Sequence, residues 1–484
     1  MDCPYRFATE CPDDDTEQRQ DPYRCAGCGQ RVRHCAACAT RNRTLARFCR
    51  HCGAALMPLP DEDYRLCSPG EVAEAVEEPQ RFPLEKILGL GNDSRADLWL
   101  AHDDGLFVIA TQIDRQDAPV SLYFLHQMMF RHGAARVLAS SLPGIDRWLD
   151  LPLVVGQGLF LATDDAIDFF PSHGADDLFQ HIRWQPQAGE RLLALAEDDQ
   201  TGLIVLLLRN ATGEMQIATG NSQSRHWDDR LSIAYTSTAR GYEIGFLPGN
   251  SSQLWLYDGE TFLQFDFPGN AGTLRPLKQR TLPAGYPPPP TAKARTRLDY
   301  FKPFVIRPTA SAATLVYPRK TETGDNIVPA ICQLNNPEAN GVAVSAPHGS
   351  WVMPHGRCES FFCGTVSGLL AFQANAAPQT IEKAKLVEHG LLTGKRWMIA
   401  VSEFQEAGQA AAGPPQPILH TYQIERSGST CTIKGVRQAN LPLRGEVPRG
   451  MPPFRRGDSI FIPIRQGKRA NVRTTVYQIQ LLRV

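Results

Sequence analysis

The sequence has no long hydrophobic run. Its longest apolar stretch, residues 203–208, is six residues, against the roughly 18 that a membrane-crossing helix requires. A helical membrane protein is thereby excluded. No basic start followed by an apolar stretch opens the chain, which predicts no secretory signal and a cytoplasmic location. Net charge is also missing, since 50 Lys+Arg against 51 Asp+Glu leave −1. A general polyanion binder is therefore not written into the composition, and any nucleic-acid or membrane role must sit in a local patch. Signatures of catalysis are absent or incomplete. There is no GxxxxGK[ST] loop, Gly89-Leu-Gly-Asn lacks the third glycine of a phosphate cradle, and Ser367 in Gly364-Thr-Val-Ser-Gly368 is one position off the nucleophile elbow. His102, His226, Asp228 and Asp229 remain as acid–base candidates by residue type alone. After residue 67 cysteine is scarce, with Cys332, Cys358, Cys363 and Cys431. Cys358 and Cys363 stand at irregular spacing from His348 and His355, so a third metal site or a thiol nucleophile there is the lesser reading.

What the sequence does have is concentrated at its start. Nine of the 13 cysteines fall in the first 67 residues. In a chain read as unexported, CxxC pairs point to thiolates kept reduced for a metal rather than to a disulfide framework. Three pairs follow one another, Cys25-Ala-Gly-Cys28, Cys35-Ala-Ala-Cys38 and Cys49-Arg-His-Cys52. Each pair can form a knuckle that aims two sulfurs at one ion, and two knuckles complete the tetrahedral four-sulfur shell of zinc. Cys35/Cys38 and Cys49/Cys52 are ten residues apart, enough for a short hairpin. Cys35, Cys38, Cys49 and Cys52 are therefore assigned to one site. Cys25 and Cys28 need two further ligands, for which Cys3 and Cys11 are nearest; Cys67, His34 or His51 could substitute. Four thiolates leave no position open for water, so the expected Zn²⁺ is a fold staple and not a catalyst.

The stretch CAACATRNRTLARFCRHCGAAL resembles the bacterial zinc-ribbon and double-zinc-ribbon modules. Their pattern sets an Asn, a small residue and a Phe between two CxxC knuckles, then Gly and Leu, and Asn42, Ala46, Phe48, Gly53 and Leu56 match it. The resemblance implies structural zinc and an adaptor role. It departs from the double ribbon at Arg6, where the first knuckle would have its second cysteine. Residues 22–60 also hold seven arginines (among them Arg41, Arg43 and Arg47) and no acid or lysine, a face suited to phosphate or an acidic partner. Acidic flanks offset it, since residues 1–80 carry ten arginines and fourteen acids, a net of −4.

From about residue 85 short apolar runs alternate with Gly, Pro, Asn and Asp. One unit recurs, an apolar strand ending in Ala, an acidic turn and a second apolar strand. Its clearest copies start at Leu98, Leu159 and Leu193, with degenerate ones at Leu231, Phe304, Phe361, Trp397 and Ile460. Such strands cannot bury both faces alone, and radial stacking of about seven four-stranded units solves this. The expected fold is mainly β: a zinc-ribbon module over 1–60, an acidic linker over 61–84 with a short helix at 69–78, and a β-propeller over 85–484. A pair of β-sandwiches is the competing architecture. The last strands are expected to close against an early strand near Leu98. The pairs Asp103/Asp104, Asp164/Asp165 and Asp198/Asp199 fall in one predicted hairpin turn, where Asp is chosen for backbone geometry. Residues 121–141 read as a helix or as two strands, residues 286–297 as a stiff polyproline spacer, and residues 407–417 as a loop. Residues 443–484 carry a net of +7, a candidate dock for an acidic surface.

The layout resembles the propeller components of bacterial systems that pair a MoxR-type AAA+ ATPase with a von Willebrand A protein. Those two proteins are the implied partners, and the expected function is a non-catalytic scaffold. Nucleic-acid binding through the arginine-rich ribbon and a propeller enzyme are the alternatives.

Overall fold

Short, wholly apolar runs bounded by turn residues become strands buried on both faces. In the computed structural model Gly158–Ala162 (GLFLA) is buried throughout, and Ile204–Arg209 (IVLLLR) is buried up to its terminal arginine. Outer strands read differently: Pro276–Thr281 (PLKQRT) is half-buried to exposed along its length and places charges at an edge, which blunts edge-to-edge pairing. The structure describes residues 80–483, apart from short internal stretches, together with the strands Val32–His34, Arg41–Arg43 and Tyr64–Leu66. Between 336 and 395 only the backbone of the strands is described.

Among the described residues eight largely antiparallel sheets of four or five strands follow one another, the last completed by strands from the amino-terminal side. The first comprises Ser94–His102, Gly105–Gln112, Val120–His126 and Ala135–Leu142, so residues 121–141 hold two strands and no helix. The second spans 153–184, the third 191–233 with a parallel addition at Thr273–Leu274, and the fourth 243–281. The fifth to seventh occupy 304–343, 349–382 and 387–440. The eighth contains Phe454–Arg456, Ser459–Gln466 and Arg473–Arg483. This succession of four-stranded meanders is the β-propeller arrangement.

Two compact units divide the described residues, one holding Ile145–Arg295 and the other most of the remainder. Within the first, alternation along one strand shows how the sheets stack. Ile204, Leu206 and Leu208 join a cluster with Phe160, Phe169 and Trp184 of the second sheet. Val205 and Leu207 join Ile244, Leu254 and Leu263 of the fourth. Period-2 alternation thus sends successive side chains into two different cores, each burial contributing about 1.5–3 kcal/mol. The second unit repeats the device. Ile460, Ile462 and Ile464 pack on Ile399 and Val401 of the seventh sheet, while Phe461 packs with Trp99 and Val108 of the first.

The closing strand differs from expectation. Thr475–Gln478 pairs antiparallel with Gln80–Pro83, and Leu481–Arg483 with Tyr64–Leu66; no pairing is made with the strand at Leu98. That strand is already the first of its own sheet and meets the eighth through its backbone and its tryptophan. The Trp99 N–H donates to the Gly450 carbonyl at 3.1 Å, and its indole N–H to the Pro452 carbonyl at 2.8 Å. Sheet residues therefore reach back into the stretch read as a linker. The helix expected at 69–78 lies outside the described residues, as do 407–415 of the loop expected over 407–417; Gln416 and Pro417 instead begin the strand Gln416–Ser427.

Candidate functional site

All eight proposed zinc ligands, Cys3, Cys11, Cys25, Cys28, Cys35, Cys38, Cys49 and Cys52, lie outside the described residues. What is described is the strand pair on either side of residues 35–40. Val32–His34 runs antiparallel to Arg41–Arg43, with Val32 opposite Arg43, Arg33 opposite Asn42 and His34 opposite Arg41. The intervening segment 35–40 carries Cys35 and Cys38. His34, a possible substitute ligand, and Arg41 and Arg43 therefore occupy strand positions beside that connection.

Of the recurring acidic pairs, Asp164/Asp165 and Asp198 are among the described residues, and both sites follow a strand of the repeat. Asp198 follows the first strand of the third sheet, its N–H donating to the Leu203 carbonyl at 2.7 Å. At Asp164/Asp165 the Thr163 N–H donates to the Ala166 carbonyl at 2.8 Å, and the Thr163 hydroxyl to Asp165 at 2.6 Å. That hydroxyl above all, with Arg147 assisting, holds the Asp165 carboxyl below its ordinary range. The sequence reading did not single out a fourth such turn, at Asp258-Gly259. Asp258 is buried and accepts from the Tyr235 hydroxyl (2.6 Å), the Ser237 hydroxyl (2.7 Å) and the N–H groups of Glu260 (3.1 Å) and Thr261 (2.8 Å). Gly259 has φ +100°, and a Cβ there would meet Pro287, so only glycine suits the corner.

That contact also revises the view of the polyproline segment as a solvated spacer. Pro288 and Pro289 are buried, the Tyr257 hydroxyl donates to the Tyr286 carbonyl at 2.8 Å, and Ala292–Arg297 forms a short helix. The Pro residues are packed down because Gly241 and Gly259 leave room for their backbone.

Burial and then the Asp258 contact push the Tyr235 phenol up to about 12, and burial takes Tyr317 to about 12. An unfolded phenol titrates at about 10. Between pH 10 and 12 the unfolded chain releases protons that the folded chain keeps, so stability falls through that window. Urea midpoints measured from pH 9 to 12 should decline, and Tyr235→Phe should flatten the decline.

Of the acid–base candidates, only His102 lies among the described residues. His102 is buried with Nε2 3.0 Å from the Val155 carbonyl, so that nitrogen donates and the ring serves as a tie. His226, Asp228 and Asp229 lie outside the described residues, as do His348, His355, Cys358 and the side chain of Cys363. Among the described residues no three His, Cys, Asp or Glu side chains gather as a metal site would require. Gly89, at φ +67°, ends the four-residue helix Leu84–Ile87, so the Gly89-Leu-Gly segment is a helix stop. One couple was missed because its members come from separate strand ends. Asp168, 1% exposed, lies 2.5 Å from Nε2 of the exposed His181 and 3.8 Å from Arg183, and the His181 ring stacks on Phe170. This couple orients an imidazole, but no nucleophile is bonded to it among the described residues.

The basic last sheet is partly committed inward. Arg465 donates to the Ala96 carbonyl (2.8 Å) and to Asp97 (3.2 Å), while Asp97 also receives Arg95 (2.9 Å) and the Thr111 hydroxyl. Arg473 donates to Asn92 at 2.8 Å. Glu85 is buried, and one of its oxygens accepts the Thr474 N–H at 2.8 Å. Arg444 and Arg449 remain at the surface.

No protein-family model and no curated protein matches this sequence. Solved structures give remote likenesses. One is an S. cerevisiae complex of dbp5 with nup159, gle1, IP6 and ADP (10% identity, 87% of this chain and 96% of that one, TM-score 0.31). A second is a proposed 6-phosphogluconolactonase from Bacteroides fragilis (12%, 60% and 84%, TM-score 0.33). A third is prolyl oligopeptidase B from Galerina marginata bound to a 35mer substrate (8%, 70% and 56%, TM-score 0.34).

Proposed function

We propose that this chain is a non-catalytic, zinc-binding adaptor of a bacterial multi-protein system, acting in the cytoplasm. Its zinc ribbon and its propeller would each present a protein-recognition surface. The observation that supports the reading is the antiparallel pairing of Val32–His34 with Arg41–Arg43 on either side of the segment that carries Cys35 and Cys38, a CxxC pair able to supply two thiolates to one ion. Cys35, Cys38, Cys49 and Cys52 would hold one structural Zn²⁺, and Cys25, Cys28, Cys3 and Cys11 a second. A closed thiolate shell supplies folding free energy and no open coordination position. An AAA+ ATPase and a von Willebrand A protein are the proposed partners.

Affinity purification from the native cell tests this, comparing wild type with Cys49→Ser/Cys52→Ser. The adaptor reading expects a discrete set of proteins with wild type that is lost from the variant, while urea unfolding of the sheet region is unchanged. An unchanged set, or none, contradicts it. The arginines of strands Val32–His34 and Arg41–Arg43 favour nucleic acid as the second reading. It requires binding that falls steeply between about 50 and 200 mM salt and disappears when Arg41, Arg43 and Arg47 become Glu.

A further inference from the structure

A cavity of about 220 Å³ opens at one end of the first sheet, where all four strands contribute to its lining. It begins where a core cluster stops. Ala96, Val108 and Leu125 pack together, with Tyr123 and Leu90 at their fringe, and Tyr123 and Leu90 also line the cavity. Beyond them the strands change from large apolar residues to Ser94, Ala110, Gln112 and Ser121, with Ser140 and Ser141 at an exposed lip. Small side chains leave the volume unfilled, and hydroxyl and amide groups make it polar.

The walls are pinned. The Leu90 N–H donates to the Glu85 carbonyl at 2.9 Å, the Ile113 N–H to the Asp93 carbonyl at 2.7 Å, and Arg473 holds Asn92 at 2.8 Å. Thr111 in the lining is fixed through its hydroxyl to Asp97, which is itself held by Arg95 and Arg465. A preformed cleft of this kind costs a ligand little ordering.

The lining chemistry selects the ligand. Among the described residues no Asp, Glu, Lys, Arg or His lines the cavity, so a charged ligand would lose hydration without gaining a counter-ion. Serine hydroxyls both donate and accept, glutamine does the same through two ends, and Tyr123 adds a ring with a polar tip. The volume is below the roughly 300–1,000 Å³ of clefts for drug-sized molecules. We propose that this cavity binds a small, uncharged, polyhydroxylated molecule of one ring, a free monosaccharide or cyclic polyol.

Saturation-transfer NMR on the full chain tests this with D-glucose, D-galactose and myo-inositol, each at millimolar concentration, and acetate as the charged control. The expected result is saturation transfer to at least one polyol, none to acetate, and loss of the signal in Ser121→Leu and in Ser141→Phe, which fill the floor and the lip. Ser141→Phe, at an exposed position, keeps the test valid if Ser121→Leu fails to fold. No polyol signal from wild type, an equal signal from acetate, or a signal retained in either folded variant would overturn the proposal.

Discussion

Replacing Asp258 by alanine is expected to destabilise its unit by about 3–5 kcal/mol. The carboxylate is 5% exposed and collects two hydroxyl and two backbone donors at 2.6–3.1 Å. Truncation leaves those donors without their acceptor, and each buried polar group left unpaired costs about 1–3 kcal/mol. The sum stays below four such penalties because the hydroxyls can rotate and the turn amides can reach water. Asp258→Asn keeps one acceptor oxygen and should cost about 1–2 kcal/mol. Urea unfolding followed by tryptophan fluorescence reads both. Equal stability of wild type and Asp258→Ala would show that the turn is held by packing alone.

Arg465→Ala should cost about 2–4 kcal/mol, somewhat less than breaking a fully buried pair. The guanidinium is 13% exposed and Asp97 24%, so part of the loss is screened by water. Burial pulls the Arg465 pKa down, with Asp97 opposing that shift. Asp97 keeps Arg95 and Thr111 when Arg465 is removed, whereas the Ala96 carbonyl loses its side-chain donor. A double-mutant cycle with Asp97→Ala should therefore give a coupling of about 1–3 kcal/mol. Strict additivity would mean that Arg465 serves by its stem and not by its charge.

These two residues also mark what was legible in the sequence. The repeat starting at Leu98, Leu159 and Leu193 was readable because alternation and Asp turn chemistry are local. Its place within a sheet was not. The hairpin occupies the first two strands of the first and third sheets but the middle two of the second, and a hairpin looks the same to its own residues in either position. Gln80–Pro83 escaped notice because a four-residue strand with one buried apolar side chain, Phe82, has no periodicity to detect; its pairing with Thr475–Gln478 is purely long-range. Arg465 counted towards a basic surface, since composition cannot tell a guanidinium turned to water from one turned to Asp97. The Asp168–His181 couple likewise has no spacing signature. The cysteine spacing, in contrast, is a local signal, but the cysteines themselves lie outside the described residues.

The most direct test of the central claim, a thiolate-held metal module ahead of stacked four-stranded sheets, is elemental analysis of the purified chain. Four thiolates per ion and eight candidate cysteines predict about two zinc ions per chain, falling to about one in Cys49→Ser/Cys52→Ser. A chain purified under reducing conditions without bound zinc, or a variant that keeps the full complement, would contradict it.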